Sequence, residues 1–578
     1  MKKILALLLC AALTLGCSVF PAGAAESAVD TGVIYEKTPA ENVQAVEIVL
    51  SDEGITVDGG GENEAVFTSH DIVYYQDRDT YESGNPYGEG SDKDKHIAQE
   101  ADAHTVVNIT SPGTYRVSGT LSAGQIYIDL GEDAGEDPEA VVNLILDNAD
   151  ITCTVAPAIV FKNVYECDGD RTTENATADV DTTAAGANLI LAMDSQNTVH
   201  GSYVAKVYQD NDQQKKLVKQ DGAVYSYMSM NVDGCGSLDI YAENEGLDTE
   251  MHLTICNGTI CIRSNDDGIN TNEDGVSVTT ILGGDVHIIA GLGTEGDGID
   301  SNGYLVIRGG RVVASANPAS DSGLDSDMGS YIHGGTVIAM GSTMDWAESD
   351  SEQVTMNLQF ADYQTSAIVV TDASGSILFA YDPAEDEVLA ENARKYQGAV
   401  ISCPDFEVGQ TYQLYLGGNL DGEESCGFYA KDTAYTDGTQ QMYTGSDLRS
   451  RGGFGGFGGR EMPGDFDPNT MGGGMKGQRG EGFKDGRHQD GGFGGMGTPP
   501  EMSEDMEGMM PPEMPEGMEN MTPPEMPEGM EGMTLPEMSG DGNMPFQGFD
   551  QTVDFAEGST ELHMQDKVNA FTGIRNAE

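Results

Sequence analysis

Positive charge is scarce in this sequence. Its 578 residues include 28 Lys and Arg against 97 Asp and Glu, which gives a formal net charge of −69. A polyanion repels nucleic acid and anionic membranes, so the sequence predicts no nucleic-acid partner. Acidity of this extent favours divalent cations as partners instead.

Long apolar runs are equally scarce. An apolar run at 4–15 follows two lysines and precedes small residues at 22–24, which is typical of a signal peptide over 1–25. No later stretch has 18 continuous apolar residues, so we expect no transmembrane segment. The sequence predicts a secreted or surface-associated protein, with a lipid anchor at Cys17 as the alternative.

Cysteine pairs and common catalytic motifs are absent as well. Seven cysteines follow the leader, but no CxxC occurs that would indicate zinc, and the spacing is not that of a compact disulfide framework. The sequence contains no GxSxG, P-loop or HExxH motif. The functional residues are therefore expected in the repeats.

Two phrases recur with one period between residues 221 and 341. The first contains Gly246, Gly268, Gly298 and Gly323, and reads Glu-Gly-Leu-Asp-Thr-Glu, Asp-Gly-Ile-Asn-Thr-Asn, Asp-Gly-Ile-Asp-Ser-Asn and Ser-Gly-Leu-Asp-Ser-Asp. The second begins at Gly236, Gly258, Gly284, Gly310 and Gly335. Each phrase alternates apolar and polar residues and is bounded by turn residues, which is typical of short strands. Strands that recur at this period predict an all-β, right-handed parallel β-helix.

The remaining chain divides by composition. The β-helix is expected over 44–345, including an N-terminal cap and an insert at 71–104. Strand-like segments without a shared period predict a small β-sandwich cap at 350–435. Residues 440–548 are rich in Gly, Met, Pro and Glu and predict a disordered tail. Alternation resumes at 551–576, where a strand could return to the sandwich.

Stacked turns would align the polar residues of the first phrase. The Leu or Ile after each glycine is expected to point inward, so the next residue points outward and forms one column: Asp248, Asn270, Asp300 and Asp325. A second column follows two positions later: Glu250, Asn272, Asn302 and Asp327. Glu245, Asp267 and Asp297 precede the glycines at a turn.

These columns need a counter-charge. Neighbouring strands are about 4.8 Å apart, and two carboxylates at that separation repel by about 3 kcal/mol at an effective dielectric constant near 20. Residues 221–341 contain no Lys and only Arg263, Arg308 and Arg311. Ca²⁺ binds oxygen ligands in irregular geometries. The polar residues of the two columns and of the turn are therefore predicted to be calcium ligands. The alternative is that these residues only cap backbone groups at turns.

The chain also resembles a known family. Its Gly-Thr-Tyr-Arg-Val-Ser-Gly-Thr-Leu segment at 113–121, its Asp-Gly-Ile turns and its Gly-Gly-Thr-Val strand are similar to those of the carbohydrate-binding β-helix family of clostridial exported proteins. Over residues 44–430 the resemblance implies a pectate-lyase-like fold, Ca²⁺ binding through acidic turns, and binding of cellulose-like and acidic plant polysaccharides. It implies Asp267, Asp297, Asp300 and Asp325 as Ca²⁺ ligands.

The function expected from these observations is non-catalytic, Ca²⁺-dependent binding of a cellulose-like polymer or a polyuronate by a monomer. Two alternatives remain. A Ca²⁺-dependent lyase would need a base, for which the candidates are the three repeat arginines and the lysines at 215, 216 and 219. A structural rod would use Ca²⁺ only for stiffness.

Four tyrosines in or near the repeats could stack on sugars, although strand packing is the favoured interpretation: Tyr225, Tyr227, Tyr304 and Tyr331. Trp346 is expected to pack in the cap.

Overall fold

The computed structural model describes residues 44–75, 87–89, 96–204, 206–208, 220–342, 345–390, 394–448 and 553–577. Within these ranges the chain is nearly all β, and its α-helices are the short Ala98–Ala101 and Glu387–Ala390, with a 3₁₀ turn at Ala134–Glu136. The prediction of an all-β chain is confirmed. None of the described helices has the length and hydropathy needed to cross a membrane.

Three parallel ladders organise the strands up to residue 341. The first contains Val46–Leu50, Gly113–Leu121, Val142–Cys153, Ala187–Leu191, Met230–Gly234, Leu253–Ile255, Val278–Ile281, Tyr304–Ile307 and Gly329–Ile332. The second continues from the ends of Gly113–Leu121 and Val142–Cys153 through Gln196–Gly201, Ser237–Ala242, Thr259–Ser264, Asp285–Ile289, Arg311–Ser315 and Thr336–Gly341.

The third ladder contains the first recurring phrase. Its strands are Thr105–Ile109, Gly124–Asp129, Ile159–Asn163, Gly222–Ser226, Glu245–Thr249, Ile269–Thr271 and Ile299–Ser301. Val66–Ser69 pairs antiparallel with the first of them. Thr56–Val57 pairs antiparallel with Val46–Leu50. Tyr87–Glu89, inside the expected insert, pairs antiparallel with Lys206–Tyr208. From residue 230 the chain visits the first, second and third ladders in that order and then repeats the sequence.

The strands after residue 350 pair mainly antiparallel. They are Thr355–Gln364, Ile368–Asp372, Ile377–Tyr381, Tyr396–Ser402, Thr411–Leu416, Asn419–Asp421, Glu424–Ser425, Phe428–Tyr429, Ala434–Thr436, Thr439–Leu448, Val553–Ser559, Leu562–His563 and Val568–Asn576. Tyr396–Ser402 pairs antiparallel with Thr336–Gly341, which ends the parallel stacking of the second ladder. Val568–Asn576 lies between Thr355–Gln364 and Thr439–Leu448.

The structure differs from the expected tail boundary at 440. Thr439–Leu448 is a strand, because Tyr443 buries its ring against Phe571 with the ring centroids 4.9 Å apart. The rest of the predicted tail, the signal peptide and Cys17 lie outside the described residues.

Inward apolar side chains stack from strand to strand. In the third ladder Leu247, Ile269 and Ile299 are paired in register, and each is fully buried. They belong to a continuous cluster that extends from Ile48 to Ala347. A second cluster lies mainly among the antiparallel strands and includes Phe360 and Tyr381. Burial of these side chains is the main favourable contribution to folding.

The glycine of the first phrase is explained by close packing. A Cβ atom on Gly268 would lie 2.6 Å from the carbonyl oxygen of Gly298 on the next strand and would overlap the side chain of Ile288 in the second ladder. Gly246 and Gly298 face the corresponding backbone oxygens in the same way. Only glycine allows successive turns to approach this closely, which is why it recurs at this position.

We predict that Gly268→Ala lowers the free energy of unfolding by about 1–3 kcal/mol, because the added methyl group overpacks the junction between ladders. Urea unfolding followed by circular dichroism measures the loss. Gly61→Ala is the matched control, since a Cβ there meets no atom within 4 Å. Equal stability of the two variants would contradict the steric explanation.

Candidate functional site

The third ladder aligns the first acidic column. Asp248 is paired with Asn270, and Asn270 with Asp300, on consecutive parallel strands. Leu324 forms a parallel bridge with Ile299, so Asp325 follows as the next member of the column. The structure therefore brings together four of the residues that the sequence predicted as calcium ligands.

The second column is held by backbone hydrogen bonds. Each backbone amide of this column donates to a carbonyl oxygen of the preceding strand at 2.9 to 3.0 Å. The donors are Glu250, Asn272, Asn302 and Asp327, and the acceptors are Ser226, Thr249, Thr271 and Ser301 in turn. The side-chain amide of Asn272 also donates to Asp248 Oδ1 at 2.6 Å. The two columns are thus linked side chain to side chain.

Burial varies along the columns. Asp248, Asn270 and Glu250 are buried, Asp300 and Asp325 are half-buried, and Asp327 is exposed. Ligands in solution can therefore reach the end of the columns formed by 297–327 more readily than the end near Asp248.

The turn carboxylates also cap backbone groups. Asp267 Oδ1 accepts a hydrogen bond from the amide of Asp297 at 2.6 Å, and Asp297 Oδ1 accepts one from the amide of Ser322 at 2.6 Å. This is the capping role that the sequence left as the alternative to calcium binding. One oxygen of each carboxylate is used in this way, so capping accounts for part of each side chain.

Burial and mutual repulsion raise the pKa values of this cluster. The pKa of Asp267 lies well above its usual range because the half-buried carboxylate is desolvated and faces Asp300 and Glu245. Burial, followed by Asp325 and Asp297, raises the pKa of Asp300 in the same direction. For Asp297, burial and Asp325 raise the pKa to about 7, although the hydrogen bond from Ser322 opposes this. These carboxylates are therefore easily neutralised by a proton or a cation.

The donor atoms suit a hard cation. Asn270 donates to Glu245 Oε1 at 3.1 Å, while Asn270 Oδ1 is buried and accepts no hydrogen bond from the described residues. Amide and carboxylate oxygens are the ligands that Ca²⁺ prefers. As the side chains stand, no group of three or more His, Cys, Asp or Glu residues in the described ranges is arranged to hold a metal ion.

Extending the first phrase by one residue would have found another member of the cluster. Asp321 corresponds to Asp266 in the repeat, and its Oδ2 accepts a hydrogen bond from the amide of Gly296 at 2.9 Å. Its charge also contributes to the raised pKa of Asp297. The signal was present in the sequence as the aspartate two positions before Gly268 and before Gly323.

The candidate aromatic residues differ in their surroundings. Tyr225 is fully buried and donates to Glu250 Oε1, and Tyr227 accepts a hydrogen bond from Gln220 at 2.8 Å. Both therefore serve packing. Tyr304 and Tyr331 are half-buried on the first ladder, with ring centroids 6.4 Å apart. Trp346 packs against the larger apolar cluster.

The arginines considered as lyase bases lie on the other two ladders. Arg263 contacts Tyr241, Arg308 contacts Asp179, and Arg311 pairs with Asp285 at 2.9 Å. None of these three contacts involves the acidic columns. The lysines at 215, 216 and 219 lie outside the described residues.

A family model described as "Carbohydrate-binding domain-containing protein" matches residues 103–185 and 167–398, which is more than half of the chain. A carbohydrate-binding domain-containing protein of Acetivibrio thermocellus is 30% identical over 178 residues, which cover 30% of this chain and 51% of the relative. The chain thus spans about half the length of that curated relative.

One solved structure is also similar. It is described as the polysaccharide lyase-like protein from C. thermocellum, in a gadolinium derivative. The similarity covers 50% of this chain and 93% of that chain, with 20% identity and a TM-score of 0.28.

We predict that, without metal, stability falls as the pH rises from about 4 through about 7. The folded state binds more protons than the unfolded state in this range, because folding raises the pKa of Asp297 to about 7 from its ordinary value of 3.8. Asp297→Asn keeps the oxygen that accepts the Ser322 amide and removes the charge. It should stabilise the chain at pH 8 by about 1–2 kcal/mol and leave stability at pH 4 unchanged.

Urea unfolding in EDTA at several pH values measures this difference. His252 provides the opposite dependence and must be separated from it, since burial lowers its pKa to about 4 and favours the neutral ring. The comparison is therefore made between wild type and variant at each pH. A constant difference from pH 4 to pH 8 would refute a titrating Asp297.

Proposed function

The chain belongs to the family of carbohydrate-binding domain-containing proteins, and from that premise we propose that it is a secreted or surface-associated protein that binds polysaccharide through Ca²⁺. The polymer is a polyuronate or a cellulose-like glycan. The protein acts as a non-catalytic monomer.

The proposed architecture is a right-handed parallel β-helix. Three parallel ladders that the chain visits in a fixed order support it, since each passage adds one strand to each ladder. In this architecture equivalent positions form straight outward rows along each ladder. Such rows suit a linear polymer, because successive sugars can meet the same kind of side chain.

The observation that supports Ca²⁺ most directly is the acidic column in the third ladder. Asp300 and Asp325 occupy adjacent positions, and Asp267 and Asp297 lie at the neighbouring turn. Burial and the neighbouring carboxylates raise the pKa values of Asp267, Asp297 and Asp300, so their ionised forms are unfavourable without a counter-charge. A divalent cation neutralises two carboxylates at once and removes this repulsion.

A bound cation would also change which polymers can bind. The uncompensated face repels a polyuronate, because both carry carboxylates. Ca²⁺ accepts six to eight oxygen ligands, so an ion held by Asp297, Asp300 and Asp325 has positions left for carboxylates and hydroxyls of the polymer. The half-buried end of the columns is where those ligands have access.

The test is retention of the full chain on insoluble polygalacturonate, with CaCl₂ and with EDTA. We expect retention with Ca²⁺ and its loss in EDTA. Asp300→Asn should weaken retention about tenfold, as expected for the loss of one charged ligand worth about 1.4 kcal/mol. Asp362→Asn is the matched control, because Asp362 is exposed on Thr355–Gln364 and lies outside the ladder.

Absorbance of unsaturated uronate is recorded in the same samples. A rising absorbance would replace the binding function with a Ca²⁺-dependent lyase. Ca²⁺ binding in calorimetry, without retention on either polygalacturonate or cellulose, would favour the structural rod. Retention that EDTA does not change would overturn the role of Ca²⁺.

A further inference from the structure

A row of stacked side chains lies on the outward surface of the second ladder. His200 is paired with Tyr241, and Tyr241 with Arg263, on three consecutive parallel strands. The rings of His200 and Tyr241 are stacked with centroids 4.5 Å apart and planes 7° apart. The guanidinium carbon of Arg263 lies 5.2 Å from the centroid of the Tyr241 ring. We call these three residues the stacked row.

The stacked row is accessible, whereas the same surface further along the ladder is covered. Tyr241 is 37% exposed, more than any other described tyrosine of the three ladders, and His200 and Arg263 are half-buried. From Asp285–Ile289 onward later segments of the chain cover the ladder: His287 Nδ1 lies 3.4 Å from Asp386 Oδ2, and Arg311 donates to the carbonyl oxygen of Ser425 at 3.0 Å. The row is therefore part of the face that these segments leave open.

The row combines rigidity with hydrogen-bonding capacity. Each planar group is held by its neighbour, so little conformational entropy remains to be lost when a ligand binds. Arg263 Nη1 donates to the Tyr241 hydroxyl at 3.3 Å, so the hydroxyl hydrogen of Tyr241 can point outward to an acceptor. A neutral imidazole adds one donor and one acceptor. Sugar hydroxyls both donate and accept, so they can pair with the outward-facing polar atoms of the row.

The charges beside the row favour an uncharged ligand. Asp150 and Asp239 are both paired with Thr198 and so lie in the adjoining outward column. Glu243 is exposed two residues beyond Tyr241. Arg263 supplies a single positive charge in this neighbourhood of three carboxylates. A polyuronate would be repelled here, whereas a neutral glycan avoids that cost.

We propose that the stacked row is a binding site for a neutral glycan that needs no divalent cation. This inference rests on the proposed polysaccharide-binding function and divides it between two surfaces. The acidic columns of the third ladder take an anionic polymer through Ca²⁺, and the stacked row of the second ladder takes an uncharged one directly.

The test measures retention of the full chain on cellulose and on polygalacturonate, each with CaCl₂ and with EDTA. We expect retention on cellulose to persist in EDTA and to weaken about tenfold in Tyr241→Ala, the usual size of the loss when a central tyrosine is truncated. Retention on polygalacturonate with Ca²⁺ should be the same in Tyr241→Ala as in wild type. Tyr363→Ala is the matched control, because Tyr363 is also exposed but lies on Thr355–Gln364.

Thermal unfolding of Tyr241→Ala and Tyr363→Ala checks that the fold is intact. Arg263→Lys is a milder change, because it keeps the positive charge but removes the planar group that stacks on Tyr241. It should weaken retention on cellulose without altering stability. Unchanged retention of Tyr241→Ala on cellulose, or equal losses in Tyr241→Ala and Tyr363→Ala, would overturn the site. Loss of cellulose retention by wild type in EDTA would overturn its independence from cations. Failure on polygalacturonate alone would refute the Ca²⁺ surface and leave the stacked row standing.

Discussion

The register of the parallel ladders is the constraint on which the structure depends. Backbone hydrogen bonds hold equivalent residues of successive turns at strand spacing, about 4.8 Å. For inward positions this spacing is favourable, because Leu247, Ile269 and Ile299 pack directly on one another. For outward positions the same spacing forces Asp300 beside Asp325, where the charges repel. Stability of the core and strain in the acidic columns therefore have one origin.

The cost of that repulsion is reduced in several ways within the described residues. Asparagine replaces aspartate at Asn270 and Asn272, and both amides donate to carboxylates of the preceding strand. Backbone amides at Asp297 and Ser322 donate to the turn carboxylates. Raised pKa values show that these contacts are insufficient at 267, 297 and 300. The cation proposed for this face would supply the remaining counter-charge.

The ladders present different chemistry although the same turns build all of them. The third ladder carries carboxylates and amides, and the second carries the stacked row together with a surface covered by later strands. That cover depends on polar contacts between distant segments: Arg394 donates to the carbonyl oxygens of Ala290 and Gly291, and His287 meets Asp386. The two proposed binding surfaces therefore lie on different ladders.

The sequence alone determined the strands and the alignment of the acidic residues. Period-2 alternation and a repeated glycine are local signals, and identical phrases at one period must stack with their equivalent residues in register. The columns through Asp248, Asn270 and Asp300 followed from that logic. The glycine positions were equally readable, although the reason for them, contact of Gly268 with the next turn and with Ile288, needed the packed structure.

Tertiary structure decided what the local pattern does not encode. Period-2 alternation does not predict that Tyr225 and Asp248 are buried while Tyr241 is exposed, because this difference depends on what covers each ladder. The composition of the chain predicted a disordered tail from residue 440, but Thr439–Leu448 is a strand. It forms because pairing with Val568–Asn576 outweighs local propensity. The stacked row could not be predicted from the sequence either. His200, Tyr241 and Arg263 are 41 and 22 residues apart in the chain, and they become neighbours only because their strands pair in the second ladder.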